Sequence, residues 1–230
     1  MRYTRILLLV VLTMAAATPF ALAQAPRITS ISDVGALQYQ TITINGSYFF
    51  DRFDIVFKDL SAGRQASPGG SPQGLIVNSW TDSQVVLGGF TSDDPEFLPK
   101  VGDEFSITIS WTICFHYPCH TFTATKDGTV VYLETTTDLT SSPNPSTDGE
   151  EVTFTATVSA TSATPPDGET VSFMEGSTLL GTGTLSGGQA TFSTSALPAG
   201  TNSVSAQYNG DSALKKSRSK AVKQVVQAGQ

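Results

Sequence analysis

The chain has 230 residues, with 13 basic side chains against 20 acidic ones and a formal net charge of −7. So acidic a balance repels phosphate backbones and argues against nucleic acid as a partner. Two cysteines and two histidines leave little material for soft-metal or histidine-based chemistry.

The N-terminus reads as an export signal. Arg2 and Arg5 form a positive n-region, 6–12 is an apolar run extended by 14–17, and Ala21-Leu22-Ala23 is a small-x-small cleavage site. Residues 1–23 are therefore expected to be a signal peptide, cut after Ala23. An uncleaved anchor would need about 20 apolar residues, and Pro19 interrupts the run. No later stretch reaches transmembrane length, so no membrane span is expected in the mature chain. Its expected location is extracytoplasmic: secreted, at the cell surface, or periplasmic. Cleavage removes Arg2 and Arg5, leaving 11 basic against 20 acidic residues, or −9. No sorting motif, lipobox cysteine or membrane tail is read, so free secretion, a holding partner or a longer parent chain are all open.

After residue 24 the chain is rich in Thr, Ser, Gly and Val, a composition suited to pleated, half-buried strands punctuated by turns. Strands are expected at 27–31 and 41–44, with a turn at Asn45-Gly46, then at 53–57 and 85–87. The Gly-, Ser- and Pro-rich stretch 61–74 reads as a mobile surface loop. Phe105, Ile107, Ile109, Trp111 and Ile113 alternate with Ser and Thr, giving a strand with one face buried and one wet. A hairpin is expected to follow, turning at Asp127-Gly128 between strands 121–125 and 129–133.

A boundary falls near Glu134, and a fresh unit opens at 135. Strands are expected there at 152–158, 170–173, 178–185, 189–193, 202–208 and 221–226. With the opening segment they make seven, the number in an immunoglobulin-like sandwich. Val152, Phe154, Ala156 and Val158 share one face; Thr153, Thr155 and Thr157 share the other. Phe154, Val171, Phe173, Phe192, Val204 and Tyr208 should be the most buried. The expected fold class is all-β, two Ig-like β-sandwich domains in tandem, spanning 24–133 and 134–230 and joined with limited bending.

Two resemblances fit this division. Pro26-Arg27-Ile28-Thr29-Ser30-Ile31, Gly35, the run from Thr41-Ile42-Thr43-Ile44 through Asn45-Gly46-Ser47-Tyr48-Phe49, and Ile76-Val77-Asn78-Ser79-Trp80 resemble the IPT/TIG family of Ig-like domains over 26–112. In that likeness Gly46 supplies a positive φ for the turn and Phe49 returns to the core. Val152-Thr153-Phe154-Thr155-Ala156-Thr157-Val158, Gly188-Gln189-Ala190-Thr191-Phe192, Leu197-Pro198-Ala199-Gly200-Thr201 and Ala206-Gln207-Tyr208-Asn209-Gly210-Asp211 resemble the bacterial Ig-like repeat, group 3, over 135–227. That resemblance implies a spacer, stalk or adhesive module and brings no catalytic residues.

Cys114-Phe115-His116-Tyr117-Pro118-Cys119-His120 holds every cysteine and histidine of the chain. Pleat counting puts Cys114 and Cys119 on the polar face of a hairpin tip, placed to form a disulfide in an exported protein. Cys114, His116, Cys119 and His120 are also soft ligands, but four so close cannot easily surround one ion. A haem attachment would need a shorter spacing between the cysteines and an enclosing pocket. No metal, cofactor or catalytic residue is expected.

Acidic turns at Asp93-Asp94-Pro95-Glu96, Asp148-Gly149-Glu150-Glu151 and Asn209-Gly210-Asp211 suit local hydrogen bonding, with calcium as the sharper alternative. Asn45-Gly46-Ser47 is formally a glycosylation sequon but fits a turn. Lys215, Lys216, Arg218, Lys220 and Lys223 read as the solvent face of a final edge strand, with a polyanion patch as alternative. Tyr48, Phe49, Phe50 and Phe53 are the densest aromatic cluster, half of them expected to face inward and the rest available to stack on sugars.

The expected function is an exported, non-catalytic structural, adhesive or binding module whose partner is an extracellular protein or glycan. The alternatives are a carbohydrate-binding pair attached to an extracellular enzyme, or a metal or redox protein using the Cys114–His120 hairpin.

Overall fold

A computed structural model of the chain describes residues 25–49, 54–70, 74–92, 96, 98–113 and 119–229. The signal segment, Phe50, Phe53, Asp93, Asp94, Cys114 and His116 lie outside them. The described residues form strands and turns, with no α-helix.

The strands between Arg27 and Thr129 build one sandwich. Its strands are β1 (Arg27–Ile31), β2 (Tyr39–Ser47), β3 (Asp54–Asp59), β4 (Arg64–Ala66), β5 (Leu75–Trp80), β6 (Gln84–Phe90), β7 (Glu104–Ile113) and β8 (His120–Thr129). One sheet runs β1-β2-β6-β5 and the other β4-β3-β7-β8. Alternation along β2, β3, β6 and β7 sends Ile42, Ile44, Ile55, Phe57, Val85, Leu87, Ile107 and Ile109 into a shared core. Phe57 stacks on Phe105 at 5.1 Å and meets Phe90 edge-on at 5.0 Å, so three strands share one aromatic contact.

Residues 135–227 build the second. It holds β9 (Thr135–Ser142), β10 (Ser146–Thr147), β11 (Val152–Ala160), β12 (Thr170–Glu175), β13 (Thr178–Thr184), β14 (Gln189–Thr194), β15 (Gly200–Tyr208), β16 (Ser217–Arg218) and β17 (Val222–Gln227). The sheets are β14-β11-β9 and β10-β17-β15-β12-β13, with β16 beside β15. Phe154, Val171, Phe173, Val204 and Tyr208 are buried as expected, and Phe192 is half-buried against the same core. All seven strands expected here are present, so the chain is all-β with two Ig-like sandwiches in tandem.

Four local expectations are corrected. Asn45-Gly46 is no turn, because β2 runs through both residues to Ser47. Gly46 does not take a left-handed backbone; a Cβ there would lie 2.0 Å from the Arg27 carbonyl and 2.3 Å from the Phe49 ring. The positive φ, 62°, belongs to Tyr48 instead. Asp127-Gly128 is no hairpin either. β8 continues to Thr129, Gly128 faces Phe105 in register, and a Cβ on it would lie 2.5 Å from that ring. Residues 129–133 form no return strand.

In the stretch 61–74, of which 61–70 and 74 are described, β4 pairs with β3 and Ser67 bridges Gly74. Finally, β17 is not an edge strand, since it lies between β10 and β15. Beyond the two-residue pairing with β10, its outer backbone is met by Asn144, which donates to the Lys223 carbonyl at 2.8 Å and accepts from the Val225 amide at 3.1 Å. A side-chain amide carries a donor nitrogen beside an acceptor oxygen, so it imitates one residue of a neighbouring strand.

Candidate functional site at the junction of the sandwiches

The residues singled out by sequence do not gather into one site. Cys119 and His120 are exposed at the start of β8, where His120 pairs in register with Ile113. Tyr48 is 39% exposed while Phe49 is fully buried and accepts a hydrogen bond at its carbonyl from Trp80 Nε1 at 2.8 Å. Asn45 lies in a strand, accepting from Gln84 and donating to Ser30.

The acidic turns are engaged locally. Glu150 accepts from the Thr147 amide at 2.7 Å and from its hydroxyl at 2.9 Å, and that amide bond leads in holding its carboxyl below the usual range. Asp211 accepts from the amides of Ala213 and Leu214 at 2.7 and 2.6 Å. Among the described residues, no three His, Cys, Asp or Glu side chains gather as a metal site. In the basic group, Lys215 pairs with Glu134 at 2.5 Å, and Arg218 donates to the Ser205 hydroxyl and the Gly176 carbonyl. Lys215 and Arg218 thus have side-chain partners within this chain.

A concavity of about 450 Å³ lies elsewhere, between the two sandwiches. One wall is Tyr39, Gln40, Thr41, Asn78 and Gly88; the other is the 160–164 turn after β11. Its first wall exists because three strands slip register at the same place. Between Tyr39 and Ile42, β2 carries one more residue than β6, since their partners are Gly89 and Leu87. Ile76 and Val77 pair with Gly89 and Leu87, leaving Gly88 unpaired; Val77 and Ser79 pair with Leu87 and Val86, leaving Asn78 unpaired. Bulges interrupt pairing and re-aim side chains, and they concentrate beside functional sites. The side chain of Asn78 lies over Gly88: a Cβ there would lie 2.8 Å from Asn78 Oδ1, which would have to turn aside.

The slip also frees backbone groups that lock the junction. The Thr41 amide donates to the Ser162 carbonyl at 2.7 Å. Buried Gln40 accepts from the Gly35 amide at 2.7 Å and donates to the Gly35 and Leu37 carbonyls at 2.8 Å, tying down the 35–37 turn.

The connecting segment is held from both sides. Val131 donates to Val34 and Leu133 to Ala213, while Lys215 donates to the Leu133 carbonyl and Thr161 to that of Glu134. Leu133 is 1% exposed and belongs to the second core, and Gly35 packs on it so closely that a Cβ would lie 2.7 Å away.

Within the cleft, Tyr39 is 65% exposed, the most open large hydrophobic side chain described. Ser162 Oγ is buried with no hydrogen-bond partner, although such atoms are ordinarily satisfied. Apart from Tyr39, no lining side chain is ionisable. The sequence reading named none of these residues as a site. The one available signal was Gly88-Gly89 inside an otherwise apolar strand, a pattern that marks bulges.

Residues 139–227 match the family profile of the bacterial Ig-like domain, group 3. No curated protein matches the chain. Among solved structures, the chain is similar to the full ectodomain of mouse nectin-like molecule 4, at 9% identity and a TM-score of 0.32 over 90% of this chain. It spans 65% of that ectodomain. It is also similar to the fibronectin(III)-like modules of Clostridium thermocellum CbhA, at 14% identity and a TM-score of 0.33, covering 86% of this chain and 94% of that one. A third is titin domains Z1Z2 in complex with telethonin, at 17% identity and a TM-score of 0.31, covering 90% and 99%.

Proposed function

We propose, taking residues 139–227 as a group 3 bacterial Ig-like domain, that the chain is an exported, non-catalytic module which holds two Ig-like sandwiches in a fixed relation at or beyond the cell surface, for a structural, adhesive or binding role. The observation that carries this reading is the junction. A freely jointed pair would leave its connector solvated. Here Leu133 is buried in the second core, and backbone bonds tie 131–134 to both sandwiches.

The reading assigns 1–23 to a cleaved signal, 24–133 to an IPT/TIG-like sandwich and 134–230 to the second sandwich. It also pairs Cys114 with Cys119 as a disulfide that pins the tip of the β7–β8 hairpin. The structural or adhesive reading gains support from the group 3 family, whose modules are typical of extracellular proteins.

One measurement tests export and disulfide together. Intact mass spectrometry of protein recovered from outside the cytoplasm, alkylated without reductant, should give a chain beginning at Gln24. Its mass should lie two hydrogens below the dithiol form, with neither cysteine alkylated. A chain retaining residues 1–23, or two alkylated cysteines, would overturn the corresponding assignment.

A further inference from the structure

We infer that the cleft between the sandwiches binds a neutral saccharide, with the Tyr39 ring as its stacking surface and Asn78 and the 161–164 turn as its polar contacts. The chemistry of the lining selects this class. A volume of about 450 Å³ falls within the range of small-ligand sites. No carboxylate, ammonium, guanidinium or imidazole lines it, so a charged ligand would lose its hydration without gaining a counter-charge. The walls are too rich in hydroxyl and amide groups for a lipid or other wholly apolar occupant, whose entry would strand those groups unpaired.

What remains is an uncharged ligand with many hydroxyls and an apolar face. A pyranose ring presents C–H groups on one face and hydroxyls around its rim. An aromatic side chain with one exposed face, flanked by groups that both donate and accept, matches it. Tyr39 supplies that ring at 65% exposure. Asn78 supplies an amide as the extra residue of its bulge, in space left by Gly88. On the opposite wall Thr161 and Thr164 are exposed and supply hydroxyls that both donate and accept.

The walls come from different sandwiches and are tied by the bond from Thr41 to Ser162, so the site is largely built before a ligand arrives. This inference goes beyond the spacer reading: a rigid two-sandwich spacer remains a sound account if the cleft binds nothing.

The test uses the mature chain. Neutral hexasaccharides of β-1,4-glucose, α-1,4-glucose and β-1,4-N-acetylglucosamine, with hexagalacturonate as a charged comparison, are titrated while backbone amide shifts are followed. At least one neutral hexasaccharide should bind and move the amides of Thr161, Ser162 and Thr164. Tyr39→Ala should weaken binding about tenfold or more, and Asn78→Ala by several-fold, while Tyr39→Phe keeps it within about twofold. Tyr39 is exposed, so its variants should melt with the parent chain. The inference is overturned by no binding to any neutral hexasaccharide, by binding of hexagalacturonate alone, by shifts confined to residues outside the cleft, or by affinity unchanged in Tyr39→Ala. Shifts in the parent chain decide the matter even if a variant misfolds.

Discussion

Glu169 precedes β12, and its carboxylate accepts a hydrogen bond from the hydroxyl of Tyr208, whose ring is 1% exposed in the second core. Burial is the main influence on Glu169 and pushes its carboxyl above the ordinary 4.5, opposed by the Tyr208 bond and reinforced by Asp211 nearby. Tyr208 is pushed strongly upward, first by burial and then by Glu169, so its hydroxyl stays protonated and donating. The pH consequence has a definite sign. A carboxyl raised in the folded state binds protons there that the unfolded chain has already released. Its stabilising effect is complete below about 4.5 and is lost as pH rises through the folded value. Urea unfolding at pH 4, 5.5 and 7 should therefore show the parent chain losing stability relative to Glu169→Gln as pH rises. Parallel profiles, or a relative gain with pH, would contradict the assignment. Sequence alone marked the Tyr208 ring as core but gave no sign of Glu169, because the pair is 39 residues apart and meets only when β12 and β15 align.

At the scale of strands, two glycines show how one dipeptide signal can have two physical causes. Asn45-Gly46 and Asp127-Gly128 both look like hairpin turns, since glycine permits positive φ. Each glycine instead sits inside a strand, under the ring of Phe49 or Phe105. A local pattern cannot separate a backbone requirement from a packing requirement, as the ring that demands the space is placed by tertiary structure. Gly46→Ala distinguishes them. The new methyl would collide with the Arg27 carbonyl as well as the Phe49 ring, so β1 must shift away from β2. Destabilisation by about 1–3 kcal/mol in equilibrium unfolding is expected. A neutral or stabilising result would mean that the strand spacing is wrong. Where alternation alone decided the matter the strands were legible: β7, β11, β12 and β15 lie where their apolar periodicity put them. The bulges that shape the cleft were not, because an extra residue in a pairing register leaves hardly any trace in composition. Gly88 and Asn78 gain meaning only from the partners they lack.

For the whole molecule, the junction decides whether there are two modules on a string or one unit with a site between its parts. Leu133 follows the first sandwich in sequence yet packs in the core of the second, beneath Gly35, while Leu37 of the first also packs against that core. Truncating such a buried leucine removes about 2–5 kcal/mol of packing. Here the loss falls on the contact that fixes one sandwich against the other. Nitrogen-15 relaxation of the mature chain reads this directly, because a rigid pair tumbles as one body and a hinged pair as two smaller ones. The two sandwiches should share a single rotational correlation time appropriate to the whole mature chain, and Leu133→Ala should split it into two shorter ones. Separate, shorter times for 25–133 and 135–227 in the unaltered protein would contradict a fixed junction.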